Sequence, residues 1–419
     1  MSQNRKKKKY RFVIGLFILL LPFAQFMPYI TPAVLMGDMV ASYNIGYGLA
    51  GLTITVVLAA FGICMFFGSA ISDKLGARKT IIGGLWLMLA GNILCWLAPN
   101  IGLFMTGRVI AAAGHGISLT CVAAFYTPWF SGKERTYLVT INGCMSPIAI
   151  ALSLAISGPI RDMLNSWNGV FLVYSGIILL IALLWTFLAK DHPSIATMAA
   201  AGAEQAQGAP VKKQSAIARA VKIKQYWVIL VIAALVGFSQ TVVTTYLFTY
   251  LTEARGLDTT VATTLTSLNS LVGVVGSLIA GALIAQTERR KPFMILFIAM
   301  FAVFGFALSL ATSNALIIIC VVIIGMSFYM IQPAQSNMII ESPEPFDPTI
   351  LSGAFAMVTG TAQIVNLLVS PFFEAANESF GMNVTFRITF GIVLIPLVLS
   401  FFLRETGAHA KKKAATVSK

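Results

Sequence analysis

Residues 47–98 read YGLAGLTITVVLAAFGICMFFGSAISDKLGARKTIIGGLWLMLAGNILCWLA: an apolar run of 25 residues, eight residues that include Asp73, Lys74, Arg78 and Lys79, and a second apolar run of 19. At 1.5 Å of rise per residue, each run is long enough to cross a ~30 Å hydrocarbon core as a helix. The stretch therefore reads as two antiparallel transmembrane helices joined by a charged turn.

The same pattern recurs almost from end to end. Working outward from it, spans fall at 12–35, 47–71, 80–98, 101–127, 136–159 and 168–189, then at 226–252, 259–286, 293–312, 315–340, 350–373 and 384–403. Composition agrees: 11% of the 419 residues are charged and the mean hydropathy is +0.84, against roughly 25% charged in a soluble domain. The expected fold is an all-α membrane protein of twelve transmembrane helices, with little chain left for a soluble catalytic domain.

Charge sets the expected orientation. With the N-terminus inside, the 29 Lys and Arg residues divide into 25 cytoplasmic, 3 external (Arg161, Arg255, Arg387) and 1 within a span, Arg108; this is the positive-inside pattern, with both termini cytoplasmic. One cytoplasmic loop departs from it, since Glu341 to Thr349 holds Glu341, Glu344 and Asp347 and no basic residue. The net charge of +14 lies in short tracts between apolar runs, which suits anionic lipid headgroups rather than nucleic acid. The start, Arg5 to Arg11 before an apolar stretch, mimics a secretory signal but is too long and lacks a small-x-small site, so it is expected to remain as the first span. Cys64, Cys95, Cys121, Cys144 and Cys320 all lie in apolar runs without CxxC spacing and read as small core residues.

A shift of 215 positions lays Phe23-Ala24-Gln25 on Phe238-Ser239-Gln240, Ser72-Asp73-Lys74 on Thr287-Glu288-Arg289, and Asn168, Phe171 and Gly176 on Asn383, Phe386 and Gly391. One offset serving three segments points to duplication of a six-helix unit, a known transporter plan. The expected organisation is a six-helix bundle at 1–189 with a basic N-terminal tail, a flexible Ala/Gly/Gln-rich linker at 190–225, a second bundle at 226–403 and a basic tail at 404–419.

The loop from Gly68 to Lys79, with Asp73, Lys74, Gly76, Arg78 and Lys79, resembles the cytoplasmic signature loop of the major facilitator superfamily. It departs in Ser69 for a Gly and Ala77 for a basic residue, and the second-half loop keeps Glu288, Arg289, Arg290 and Lys291 but lacks the Gly. The resemblance implies a twelve-helix bacterial secondary transporter and a gating role for Asp73, Gly76, Arg78, Glu288 and Arg289. Arg108 to Gly116 likewise resembles the family's fourth-helix motif, with Ala112 in place of one Gly.

Within the spans, Arg108 stands out because a cation there costs at least ~2.5–3.5 kcal/mol on insertion scales. It has two readings: a cation tied to helix-end carbonyls, or an anion-binding site, the latter favoured because all 15 acidic residues lie in loops or at span ends. His115 follows at i+7, about 10 Å along the axis, and is either an interior histidine or a proton-linked group. Gln25 and Tyr29, Gln240 and Thr244, Asn269, Tyr329, Gln332 and Ser336, and Gln363 and Asn366 are candidate substrate contacts or interhelical hydrogen-bond partners. Pro22, Pro28, Pro32 and Pro333 mark expected breaks in the first and tenth spans.

There is no phosphate-cradling loop, metal-ligand spacing or catalytic triad, so neither an enzyme nor a metal or cofactor is expected. The leading expectation is a monomeric secondary transporter in the cell membrane, moving a small organic anion by alternating access with a proton as candidate coupling ion. The alternatives are a drug/proton antiporter, weakened by Ser146 and Ile150-Ala151 where exporters of the family carry glycines, and a nontransporting membrane receptor.

Overall fold

The structure, a computed structural model, describes residues 2–45, 47–130, 132–192, 215–342 and 347–407. Every regular element among them is helical. Twelve helical stretches among the described residues are long and apolar enough to cross a membrane: Tyr10–Val34, Leu52–Leu75, Ala77–Leu97, Ile101–Tyr126, Gly132–Leu164, Gly169–Leu188, Lys224–Ala254, Thr260–Thr287, Lys291–Leu310, Asn314–Glu341, Pro348–Leu368 and Met382–Ser400. With no water in the hydrocarbon core to take backbone N–H and C=O groups, helices are how such sequences satisfy them.

Two spans differ from expectation. The fifth runs on as one helix from Gly132 to Leu164. The eleventh is broken into a 3-10 turn (Pro348–Ile350), a helix (Leu351–Phe355), a π turn (Ala356–Gly360), a helical turn (Thr361–Val365) and a second 3-10 turn (Asn366–Leu368) before the helix Val369–Phe380. Pro371 supplies a cause for the last irregularity, since it has no N–H for the carbonyl four residues back, at Leu367. Conversely, Pro22, Pro28 and Pro32 sit inside the continuous helix Ser2–Val34, and Pro333 inside Asn314–Glu341. The expected breaks at these prolines are carried without interruption.

The chain forms two compact units. The first comprises Met1–Arg135, Ala149–Ile223 and Pro343–Gly360, the second Thr136–Ile148, Lys224–Ser342 and Thr361–Lys419. Each is thus built largely from one sequence half and takes a segment from the other. Of the linker, residues 193–214 lie outside the described residues, as do 408–419 of the C-terminal tail. The end of the linker is a packed helical turn rather than a tether: Ala216–Ala220 is helical, capped by Ser215 Oγ accepting from Ala218 N, and Ala216 and Ala220 are fully buried.

In the first unit the third and fourth spans meet along a ladder of small residues. A Cβ on Gly84 would come within 2.6 Å of Gly114 O, and one on Gly91 within 2.4 Å of Ala111 N. In lipid, where apolar side chains gain little by pairing, such close backbone approach supplies the packing energy. The second unit repeats the device, with Gly276 against Met326 and Gly325 against Asn269.

Candidate functional site

Arg108 is 2% exposed, in the interior of the first unit. Its Nη1 donates to Pro28 O at 2.6 Å, its Nη2 to Tyr29 O at 2.6 Å and its Nε to Thr53 O at 3.1 Å. Pro28 O lies four residues before Pro32, which has no N–H to give it, so the helix leaves that carbonyl without its usual donor. The guanidinium fills the gap. Three of its five N–H groups are spent on carbonyls, and among the described residues it forms no ion pair.

Around it lies a small cleft lined by Gln25, Tyr29, Met88, Asn92, Ala112 and His115, with room of about 20 Å³, the space of about one water molecule. Gln25 Nε2 donates to Ser118 Oγ at 3.1 Å, and Ser118 Oγ donates to His115 O at 3.0 Å. His115 is wedged between Phe26, 5.0 Å away edge-on, and Phe61, 4.5 Å away. Asn92, 1% exposed, donates through Nδ2 to Met88 O at 2.9 Å. Gln25, Tyr29, Arg108 and His115, singled out in sequence, thus share one cleft. Asn92 was missed; its only signal was a lone amide in the apolar run 80–98.

In the second unit the candidates are dispersed. Gln240 Nε2 donates to Thr244 Oγ1 at 3.3 Å, and Asn366 Nδ2 to Gln363 Oε1 at 3.3 Å. A Cβ on Gly237, one turn before Gln240, would come within 3.7 Å of the Asn366 amide, so these two pairs approach each other. Asn269 is committed to a neighbouring helix, donating to Val321 O at 2.8 Å. Tyr329 lies on Gly273, where a Cβ would come within 2.0 Å of its ring. Gln332 and Ser336 are partly buried on the tenth span.

The loop residues read as gating elements are placed as follows. Gly76 takes φ +80° and opens the third span. Arg78 Nη2 donates to Thr186 O at 3.1 Å. Asp73 Oδ2 accepts from Ala216 N at 2.8 Å, so it caps the linker turn. From that turn Arg219 Nη1 reaches Asp347 Oδ2 at 2.6 Å, and its Nη2 donates to Thr349 Oγ1 at 3.0 Å. Gly353 leaves no space beside the turn, since a Cβ there would meet Ala216 C at 2.3 Å. Glu288 ends its helix with φ 57°, next to Arg289.

Sequence reading missed Arg290, which is 4% exposed. It pairs with Glu341 at 3.2 Å, while Glu405 Oε1 accepts from Arg290 N at 2.8 Å and Glu405 Oε2 from Lys291 N at 3.1 Å. The signal was present in the acidic loop without basic residues: Glu341 and Asp347 take their cations from Arg290 and Arg219.

This architecture matches known proteins. The family model for the Major Facilitator Superfamily matches residues 14–365, and the chain belongs to that superfamily of transporters. It is 22% identical over 376 residues to the probable sulfoacetate transporter SauU of Cupriavidus necator, covering 86% of this chain and 79% of that protein. Among solved structures, the proton:xylose symporter XylE superposes with a TM-score of 0.75 at 19% identity, covering 96% of this chain and 97% of that one. The transporter FucP, in its outward conformation, gives 0.76 at 16% identity over 94% and 99%. The chain is accordingly a multi-pass membrane transporter rather than an enzyme.

Proposed function

We propose that this transporter carries a small organic anion by alternating access, with Arg108 as the cationic element of its solute path. The observation that carries the reading is a fully buried guanidinium without a carboxylate partner among the described residues, two of whose N–H groups are not spent on carbonyls. A desolvated Arg with donors to spare favours carboxylate, sulfonate or phosphonate oxygens. The similarity to SauU, a probable sulfoacetate transporter, supports the same solute class.

On this reading both termini are cytoplasmic, His115 is the candidate proton-linked group, and Gln25, Gln240 and Asn366 orient the solute. Asp73, Gly76 and Arg78 hold the cytoplasmic ends of the helices closed, Asp73 acting through the linker turn that Arg219 ties to Asp347.

The test is uptake of short carboxylates and sulfonates in proteoliposomes, with and without an imposed proton gradient, for the wild type and for Arg108→Gln combined with Pro32→Ala. The second change gives Pro28 O a helical donor, so that the variant loses the cation without losing that hydrogen bond. Uptake is expected in the wild type and absent from the double variant; equal uptake by both overturns the role of Arg108.

A further inference from the structure

Among the described residues of the first unit, three polar atoms of one cleft are buried without a hydrogen-bond partner: the amide oxygens Gln25 Oε1 and Asn92 Oδ1 and the ring nitrogen His115 Nε2. All three residues line the cleft beside Arg108. The orientations of the two amides are determined by what their other atoms do. Ser118 Oγ gives its proton to His115 O, so it can only accept from Gln25, which must present its amide nitrogen there. Met88 O is an acceptor only, so Asn92 must present Nδ2 to it. The amide oxygens of both residues are therefore acceptors, and neither amide can be flipped without losing a bond.

We infer that the cleft between Arg108, Gln25, Asn92 and His115 is a binding site for one water molecule that is integral to the first bundle. Its volume of about 20 Å³ admits one water and little more. The lining chooses among occupants of that size. A halide would meet the Arg108 donors but leave Gln25 Oε1 and Asn92 Oδ1 facing a negative charge. A sodium ion would suit those oxygens but sit beside a buried guanidinium. Water alone accepts from the N–H groups that Arg108 has left and donates to the two amide oxygens. Leaving such groups unpaired in a low-dielectric interior costs about 1–3 kcal/mol each, well above the ~0–2 kcal/mol for immobilising a water.

The water thereby connects Arg108, which holds the first and second spans by their carbonyls, to Asn92 on the third. Arg108, Asn92 and Gln25 become positioning residues of one hydrogen-bonded brace. The inference concerns the solute-free transporter, in which the water holds the Arg108 N–H groups that a bound anion would take over, and it does not depend on the solute being an anion.

The test is a cryo-electron microscopy map of the full chain in lipid nanodiscs, at a resolution that shows ordered waters, for the wild type and for Asn92→Leu. A density peak within hydrogen-bonding distance of Arg108 and at least one of the two amide oxygens is expected in the wild type, and its loss in the variant. Should the variant not fold, X-ray hydroxyl-radical footprinting of the wild type replaces it, with Met88 expected to be labelled faster than other buried methionines because it borders the bound water. Thermal stability in chloride, bromide and gluconate is expected to be the same. A cleft without density, a Met88 labelled no faster than other buried methionines, or saturable stabilisation by halide would each overturn the assignment.

Discussion

Replacing Arg108 by Met, of similar length and without charge, removes three donors from three carbonyls at once. Hydrogen bonds to charged groups are worth about 1.5–3 kcal/mol each, and the variant recovers the ~2.5–3.5 kcal/mol that a cation costs inside a membrane. The hydrogen bonds win, and Arg108→Met is expected to lose about 1–6.5 kcal/mol of stability on that balance. The more specific consequence concerns Pro28 O, which has Arg108 as its donor because Pro32 has none to give. Pro32→Ala offers a helical N–H to that carbonyl. In the wild type the carbonyl is already satisfied by Arg108, so the new N–H adds little there; in Arg108→Met it restores one hydrogen bond. A double-mutant cycle is therefore expected to show a coupling of about 1–2 kcal/mol between residues 32 and 108, above the ~0.3–0.5 kcal/mol scatter of independent sites. Equilibrium unfolding in nanodiscs, followed by tryptophan fluorescence, measures it. Additivity of the two substitutions would refute the claim that Arg108 completes the proline-interrupted helix.

Other expectations follow from the packing and the ion pairs. Gly114→Val places side-chain atoms where Gly84 O and Met88 lie within 2.4–2.7 Å of the Cβ position, and should cost about 3 kcal/mol or more through overpacking, read as loss of monodisperse protein on size exclusion. Arg290→Ala removes the guanidinium from the buried Glu341 carboxylate, which keeps Thr406 Oγ1 as a donor, an expected loss of about 3–5 kcal/mol that Arg290→Met with Glu341→Leu largely recovers; thermal unfolding of the two variants decides it. The Arg219–Asp347 pair is partly exposed, with side chains 29% and 34% accessible, so Asp347→Asn should change stability by only about 1 kcal/mol or less. Its larger effect is expected on accessibility: a cysteine at Ser69, fully buried here, should react faster with an impermeant thiol reagent in that variant.

The membrane fold was legible because it depends on runs of one kind of residue. Spans such as 80–98 and Ala77–Leu97 need no knowledge of tertiary partners. Arg108 and Pro32 were each visible as anomalies, yet their connection was not, since a carbonyl made donorless by Pro32 has no signature at position 108. Of the two readings of Arg108, the carbonyl-bound one describes what its side chain touches. Asn92 passed unnoticed because an amide in an apolar run has the same sequence signal whether it caps its own helix or lines a cleft. Arg290 and Glu341 lie 51 positions apart, in loops where charge is ordinarily solvated, and only folding buries them together. The irregular turns of the eleventh span were equally hidden, because 350–373 reads as one apolar stretch.

The central claim is that the chain moves a small organic anion. Counterflow in proteoliposomes tests it most directly: vesicles holding purified protein and an unlabelled short sulfonate or carboxylate are diluted into the same labelled solute. Transient accumulation of label is expected, abolished by competing organic anions and unaffected by neutral sugars. Accumulation of a neutral sugar with none of any organic anion would contradict the account.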